Sequence, residues 1–524
     1  MKNKILLIIL VILLGLLLRS YEFGKIPAGI YVDEAAQGYN AYSILTTGKD
    51  EYGKAYPVFL RSFGTYASSL YSYLTVIPVS LIGLTEVSVR LVSLISGITI
   101  VSLVVLQFGL LVGLVVAITP VFIFVSRAAF ESNLGLAILI AGSVLALRAE
   151  KTPRLLLLAF PLLTFSSYGY HAERFLSIIL VTFFSIKYWK KIEKKLIIIS
   201  SLLGLVVIIP ILTLSFTQGA YARLSGLEVE GTILEKVVSY ARLYLAYLSP
   251  SNLFSKPDPD PQRSFADLSA FYWWMFIPFI FGIYKFVKQK KWQETTGQYF
   301  LILVFFSPIL AAFTKDYFST IRVLPLFLAV AWLIALGLRT LVKYKFIYVI
   351  LILVSVLELY SNLTLLKYQK SSIWNYEYKA LFNSLNEYKD HEILIENSNG
   401  KPVYILEAFF NKTNPQILQN RFSPEQLENY YAQTQFNPNF KLSNIEYRPL
   451  IWEEDVYKDQ MIVASPLSIS TDQAKEHKLT LMDEINNASG EVVLKTYKTD
   501  PKEKCQSFDF LNLDIKKRCQ NIAK

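Results

Sequence analysis

Cysteine is nearly absent from this 524-residue chain: Cys505 and Cys519 are the two, both close to the C-terminus. Neither has metal-ligand company, which argues against a zinc site, and they can form a disulfide only if the tail lies outside the cytoplasm. Charged residues are scarce as well, at 18%, against 53% apolar residues and a mean hydropathy of +0.38. A water-filled chain of this length does not read that way; an integral membrane protein does. The first apolar block, "ILLIILVILLGLLL" at 5–18, follows Lys2 and Lys4 but lacks a small-residue cleavage site, and many apolar blocks follow it. It is therefore expected to be a retained span and not a signal peptide. No internal repeat is visible, which removes the sequence signature of a two-fold transporter.

What is present is a series of long apolar blocks separated by short charged connections. The net charge of +11 does not point to nucleic acid, because the basic residues cluster between apolar blocks, where positive charge holds loops in the cytoplasm. Candidate spans lie near 5–18, 90–106, 108–125, 134–148, 154–168, 174–188, 196–215, 271–286, 298–313, 322–339 and 345–360. Connections 148–154, 187–195, 285–291 and 339–345 carry three, five, four and three Lys or Arg. The alternate ones, 126–133, 169–175 and 314–322, carry one, one and two. The first group is placed in the cytoplasm and the second outside. "SLYSYLTVIPVSLIGL" at 69–84 is short, holds Pro78, and would break this alternation as a span. It is read as an interfacial helix within one long outer loop, 19–89. The expectation is thus a polytopic α-helical membrane protein with about eleven transmembrane helices, N-terminus inside and C-terminus outside, at the plasma membrane.

Beyond residue 360 the long apolar blocks stop. Short runs such as "EILIE", "PVYIL", "MIVAS" and "EVVLKTY" read as strands and "STDQAKEHKL" as a helix, so 361–524 is expected to form an extracytoplasmic mixed α/β domain on the membrane module 1–360. A second large outer loop, 216–270, contains "KPDPDPQRSF", whose prolines and aspartates argue against a span.

This topology gathers acids and bases on one membrane face. Asp33 and Glu34 stand in "GIYVDEAAQGYNAYSI", Asp50 and Glu51 in "TGKDEYGK", Arg127 and Glu131 in "SRAAFESN", His171, Glu173 and Arg174 in "YGYHAERF", and Arg322 at the start of the tenth span. Singly, each is most simply a solvated boundary residue or a snorkelling arginine. Together they suit transfer of a sugar from a lipid-phosphate carrier. That reaction needs one carboxylate to take the proton of an attacking hydroxyl and cations to receive the departing phosphate. A phosphate leaves without protonation, so the two-acid arrangement of a hydrolase is not demanded. Asp33 is the expected base, beside Glu34, with Glu131 as a second acid that orients acceptor or sugar. Asp50, Arg127, His171, Arg174 and Arg322 are the expected substrate-binding set. Asp33 with Glu131 could also hold a divalent cation, although no His-rich constellation accompanies them.

The ordered series "PAGIYVDEAAQGYNAYSILTTGKDEYGKAYPVFLRSFG", "VRLVSLISG", "FVSRAAFESN", "YGYHAERF" and "IRVLPLF" resembles that of bacterial proteins similar to the dolichyl-phosphate-mannose protein mannosyltransferases. These belong to the C-type (GT-C) glycosyltransferase superfamily, which also includes the lipid A aminoarabinose transferases. The resemblance implies a catalytic aspartate at Asp33, a second acidic motif at Glu131, a polyprenyl-phosphate sugar donor, and an acceptor protein, lipid or glycan, with mannose as one candidate sugar. The chain departs from the family pattern where a lysine and two prolines are usual: Ala67, Ser68 and Ser69 stand there. Arg61 or Lys54 would have to supply the missing cation. Two other classes compete, a lipid-linked oligosaccharide flippase and a sugar-polymer ligase or polymerase; the latter would draw on loop 216–270 with Arg223, Arg242 and Arg263.

Overall fold

The computed structural model describes residues 2–217, 231–314, 316–340, 345–432, 436–506 and 513–522; Arg223 lies outside them. The chain opens with helix α1 (Lys2–Ser20), followed by α2 (Val32–Thr47), a hairpin of strands β1 (Phe59–Ser62) and β2 (Thr65–Ser68), α3 (Leu70–Ile82) and α4 (Glu86–Phe108). Then come α5 (Leu110–Ile118), α6 (Pro120–Phe124), α7 (Glu131–Arg148), α8 (Leu156–Gly169), α9 (Glu173–Tyr188) and α10 (Lys194–Ser215). The helices Ile233–Leu248, Phe276–Lys288, Thr295–Ala312, Leu324–Leu338 and Lys345–Lys367 complete the helical part.

The apolar blocks expected to span fall on helices apart from up to about five residues at their ends, with one exception. The block 108–125 is broken at Gly109 and again where Thr119 precedes Pro120, because a proline there cannot donate to the preceding turn and instead starts α6. Among the described residues six helices are long and apolar enough to cross a bilayer: those at 3–20, 86–108, 131–148, 194–215, 295–312 and 349–367. Six of the eleven expected crossings, those at these helices, satisfy length and composition, and the other five do not. α3, with 13 residues, rises about 20 Å and falls short of a hydrocarbon core of about 30 Å.

Helix Leu324–Leu338 is apolar all round and almost wholly buried at the centre of the largest core cluster. The peripheral helices do the opposite. Leu6 and Leu17 on α1, Leu202 and Val206 on α10, and Leu353 and Leu357 on Lys345–Lys367 are exposed large aliphatics. An apolar outer surface over helices of this length is the surface of a multi-pass membrane protein, since water would not tolerate it and lipid does.

The C-terminal part carries a six-stranded mixed sheet of β3 (Ile393–Glu396), β4 (Phe440–Leu442), β5 (Ile445–Arg448), β6 (Met461–Ala464), β7 (Thr480–Asn486) and β8 (Val492–Lys498), in the order β4-β5-β3-β6-β8-β7. β3 runs parallel to β5 and β6, while β4, β8 and β7 are antiparallel to their neighbours. Cys505 and Cys519 are disulfide-bonded. Three of the four expected strands are present. The fourth, "PVYIL", belongs to helix Tyr404–Phe410, whose apolar run continues through Ala408 and Phe409 and seats on α2; a short apolar run does not by itself distinguish helix from strand.

The boundary at 360 is crossed by one hydrophobic core. Tyr39, Val89 and Leu134 from the helical part cluster with Phe382, Ile405, Phe409 and Ile445 from the C-terminal part. Gly38 lets this happen: a Cβ on it would run into Val89 and Phe409. The C-terminal sheet region is therefore packed directly on the elements that carry the first acidic motif.

Candidate active site

The segment that delivers Asp33 is fixed before α2 begins. Arg90 on α4 donates to the carbonyls of Pro27 and Gly29 at 2.9 and 2.6 Å, and the Asn375 amide donates to the Ile30 carbonyl at 3.0 Å. Gly29 has φ +84°, and a side chain there would overlap the Trp374 carbonyl, so only glycine fits. Tyr31 then packs against Phe130 and edge-on to Trp374.

Consecutive residues on a helix point about 100° apart, and this separates the two acids. Asp33 lines a polar cavity of about 270 Å³, together with Gln37, Asn40, Arg61, Glu131, Tyr170, Asp260, Arg263 and Arg322. Glu34 turns inward and is fully buried. It pairs in bidentate fashion with Arg90 at 2.9 Å for both contacts and accepts the Ala129 amide at 2.6 Å. α2 and α7 both begin at the cavity, each with a carboxylate, Asp33 or Glu131, in its first turn, where unpaired backbone amides favour negative charge.

The opposite wall is built from "KPDPDPQRSF" and the turn before Leu324–Leu338. Asp258, buried, accepts the Thr320 amide at 2.7 Å and hydroxyl at 3.0 Å and the Asp260 amide at 3.0 Å, which staples the two segments together. Arg263 pairs with Asp260 at 2.8 Å and with Asp316 at 3.2 Å; Asp316 also pairs with Arg322 at 2.8 Å. Arg322 additionally donates to the Thr314 hydroxyl. One carboxylate thus holds two guanidinium groups side by side at the rim.

Arg322 also lines a second cavity, of about 390 Å³ and mostly apolar, with Phe59, Phe175, Ile178, Leu212, Leu310 and Phe313. His171 and Arg174 lie in this groove and not in the polar cavity. Arg174 sits 4.6 Å over the Phe59 ring, and the His171 ring lies 4.1 Å from that of Tyr170, which faces the polar cavity.

The remaining expected site residues are elsewhere. Arg127 is fully buried and donates to the carbonyls of Leu18, Arg19, Tyr21 and Ile26 at 2.5–3.3 Å, so its guanidinium is closed off by backbone. Asp50 is buried and accepts from the Tyr430 hydroxyl at 2.6 Å and the Lys54 amide at 2.8 Å; burial pushes its carboxyl up to about 6. Glu51 is held by Asn40 and pushed up to about 8 by burial, with Asp50 adding to the shift. Of the two substitute cations, Arg61 lines the polar cavity next to Ala67, whereas Lys54 donates to the Leu427 carbonyl at 3.2 Å. No group of three or more His, Cys, Asp or Glu among the described residues is placed to share a cation.

Sequence reasoning missed Asp260 and Tyr170 and used Arg263 only for a competing reading. The signal for the first was present: alternating Pro and Asp followed by Arg is a stiff acidic turn with a cation at its end.

No protein-family model matches the chain, and no curated protein matches its sequence. Solved structures do match: ArnT from Cupriavidus metallidurans in the apo state superimposes with a TM-score of 0.52 over 94% of this chain and 98% of that one. The same protein bound to undecaprenyl phosphate gives 0.50 over the same shares. Identity is 10% in both cases, so the likeness is one of fold.

Proposed function

We propose that this protein is a membrane glycosyltransferase that moves a hexose, with mannose the candidate favoured by the motif series, from a polyprenyl phosphate to an acceptor hydroxyl outside the cytoplasm. The observation that carries the reading is that Arg322 belongs to two cavities at once. One is polar and holds Asp33 and Glu131; the other is apolar and holds Arg174 and His171. A lipid phosphate sugar has the same division, an apolar chain and a polar sugar joined at a phosphate. Its chain fits the apolar groove, its phosphate sits at Arg322 with Arg174 and His171 behind it, and its sugar enters the 270 Å³ cavity. That an ArnT structure binds undecaprenyl phosphate on the same fold supports this class of donor.

In the proposed reaction the acceptor oxygen attacks the anomeric carbon while Asp33 takes its proton. The bond from that carbon to the phosphate oxygen breaks, and the lipid phosphate departs carrying its negative charge, which Arg322 and Arg61 stabilise. Attack opposite the leaving phosphate inverts the anomeric centre. Glu131 positions the sugar or the acceptor, and Arg61 takes the place of the family lysine that is absent at Ala67. The N-terminus lies in the cytoplasm and the sheet region outside in this reading. A flippase would instead need polar groups open along the spans, whereas Arg19 and Arg127 are each closed by backbone carbonyls and Arg90 by Glu34 and loop carbonyls.

Mass spectrometry of polyprenyl lipids and surface glycans from cells with and without the protein tests the reading. Loss of the protein is expected to accumulate a polyprenyl-phosphate hexose and to remove one hexose from a surface product. Unchanged lipid and glycan profiles would reject it.

A further inference from the structure

A third cavity, the largest of those described at about 950 Å³, lies between the first outer loop and the sheet region. Its size is at the upper end of small-ligand sites, and its composition is uncommon. On one wall the Arg61 guanidinium stacks 4.6 Å over Tyr52, which packs against Phe422 at 4.9 Å. On the other, Arg421 stacks 3.9 Å over Phe440, which lies 4.2 Å from and nearly parallel to Tyr404. Glu51 lies among them, 2% exposed, with one carboxylate oxygen lacking a hydrogen-bond partner. A buried oxygen in that state is costly unless a ligand reaches it.

This cavity meets the reaction cavity in two places. Arg61 lines both. Glu51 donates its amide to Asn40 at 2.9 Å and accepts from the Asn40 side chain at 3.4 Å, and Asn40 faces the reaction cavity. The β1–β2 hairpin is the partition between them, since Arg61 and Gly64 front the outer cavity while Leu60, Ser62 and Thr65 front the inner one.

We infer that the outer cavity is the acceptor site and that its ligand is a saccharide chain whose terminal hydroxyl passes Arg61 to reach Asp33. Flat aromatic and guanidinium faces suit the C–H faces of sugar rings. Carboxyl and amide groups, here Glu51 with Gln426, suit the hydroxyls around them. A peptide would add along the outer edge of the sheet at β4, but the Lys441 carbonyl on that strand already accepts from Arg421, which blocks such an addition. This inference rests on the glycosyltransferase reading for the meaning of "acceptor", but its test is a binding measurement that does not need turnover.

The full-length protein is immobilised in detergent and offered the glycan fraction released from envelopes of cells that lack it. Wild type retains material that periodate destroys and protease leaves intact. Arg421→Ala, at an exposed position, retains about tenfold less, while its binding of undecaprenyl phosphate is unchanged. Equal retention by Arg421→Ala, no retention by wild type, or retention that protease abolishes would each overturn the saccharide site. If retention behaves as expected but no hexose is transferred from lipid phosphate to the retained glycan, the glycosyltransferase reading fails and the binding site stands.

Discussion

Two regions a few ångströms apart use the same residue types for opposite purposes. On the cavity wall, Asp33, Glu131 and Arg322 border open space. Behind that wall, Glu34, Arg90, Arg19 and Arg127 are all fully buried and closed by protein partners. Asp33 and Glu34 are consecutive, so neither composition nor local sequence separates them; the helical step and the presence of Arg90 behind α2 do. A charge fully buried among protein partners stabilises geometry, while a charge on a cavity wall, such as Arg322 beside Asp316, still borders space that a ligand can enter. The lock also serves the wall, because Arg90 and Glu34 fix the turn that aims Asp33, and Arg127 ties "SRAAFESN" to the end of α1 just ahead of Glu131.

This contrast is sharpest when the two neighbours are changed separately. Asp33→Asn is expected to lower hexose transfer by about 100- to 10,000-fold, the range of a lost general base, with thermal stability unchanged; transfer at the wild-type rate in membrane vesicles would remove Asp33 from the chemistry. Glu34→Ala strands a buried guanidinium and is expected to destabilise the protein by about 3–5 kcal/mol. It should show as lost expression and a lowered unfolding temperature, and a well-folded, inactive Glu34→Ala protein would reverse the assignment of roles. Arg322→Ala removes a charge-assisted phosphate contact of about 1.5–3 kcal/mol, a roughly 10- to 100-fold rise in half-saturating donor; an unchanged donor requirement would take it out of the site.

The smallest expected effect lies in the C-terminal sheet region. Asp455 is held down to about 2, burial opposing and hydrogen bonds from Arg448, the Ile451 amide and Lys458 prevailing. Its folded value is below its ordinary one, so its contribution is present above about pH 4 and fades as pH falls toward 2. Protection factors in the sheet, corrected for the intrinsic exchange rate, should fall over that window in wild type and stay constant there in Asp455→Asn.

Much of this was legible in the sequence. The apolar blocks marked helices because lipid demands long uninterrupted runs, and the alternation of basic connections brought Asp33, Glu131 and Arg322 to one face across almost three hundred residues. Glu34, Arg127 and Asp50 were not distinguishable from them, because their partners are Arg90, backbone carbonyls and Tyr430, at distances in the chain that no periodicity encodes. Asp260 and Arg263 were obscured by their position in a long irregular loop, whose fold depends on the Asp258 staple to Thr320. The break in 108–125 had its signal in Thr119-Pro120, and "PVYIL" had none strong enough to separate helix from strand.

The spatial claim beneath all of this is tested most directly in a membrane. With Asp33→Cys and Arg322→Cys combined in the full-length protein, a short bifunctional thiol reagent should join the two positions in vesicles, and undecaprenyl phosphate should suppress the reaction. Absence of the crosslink in folded protein, with each single cysteine still reactive, would contradict the shared cavity and the mechanism built on it.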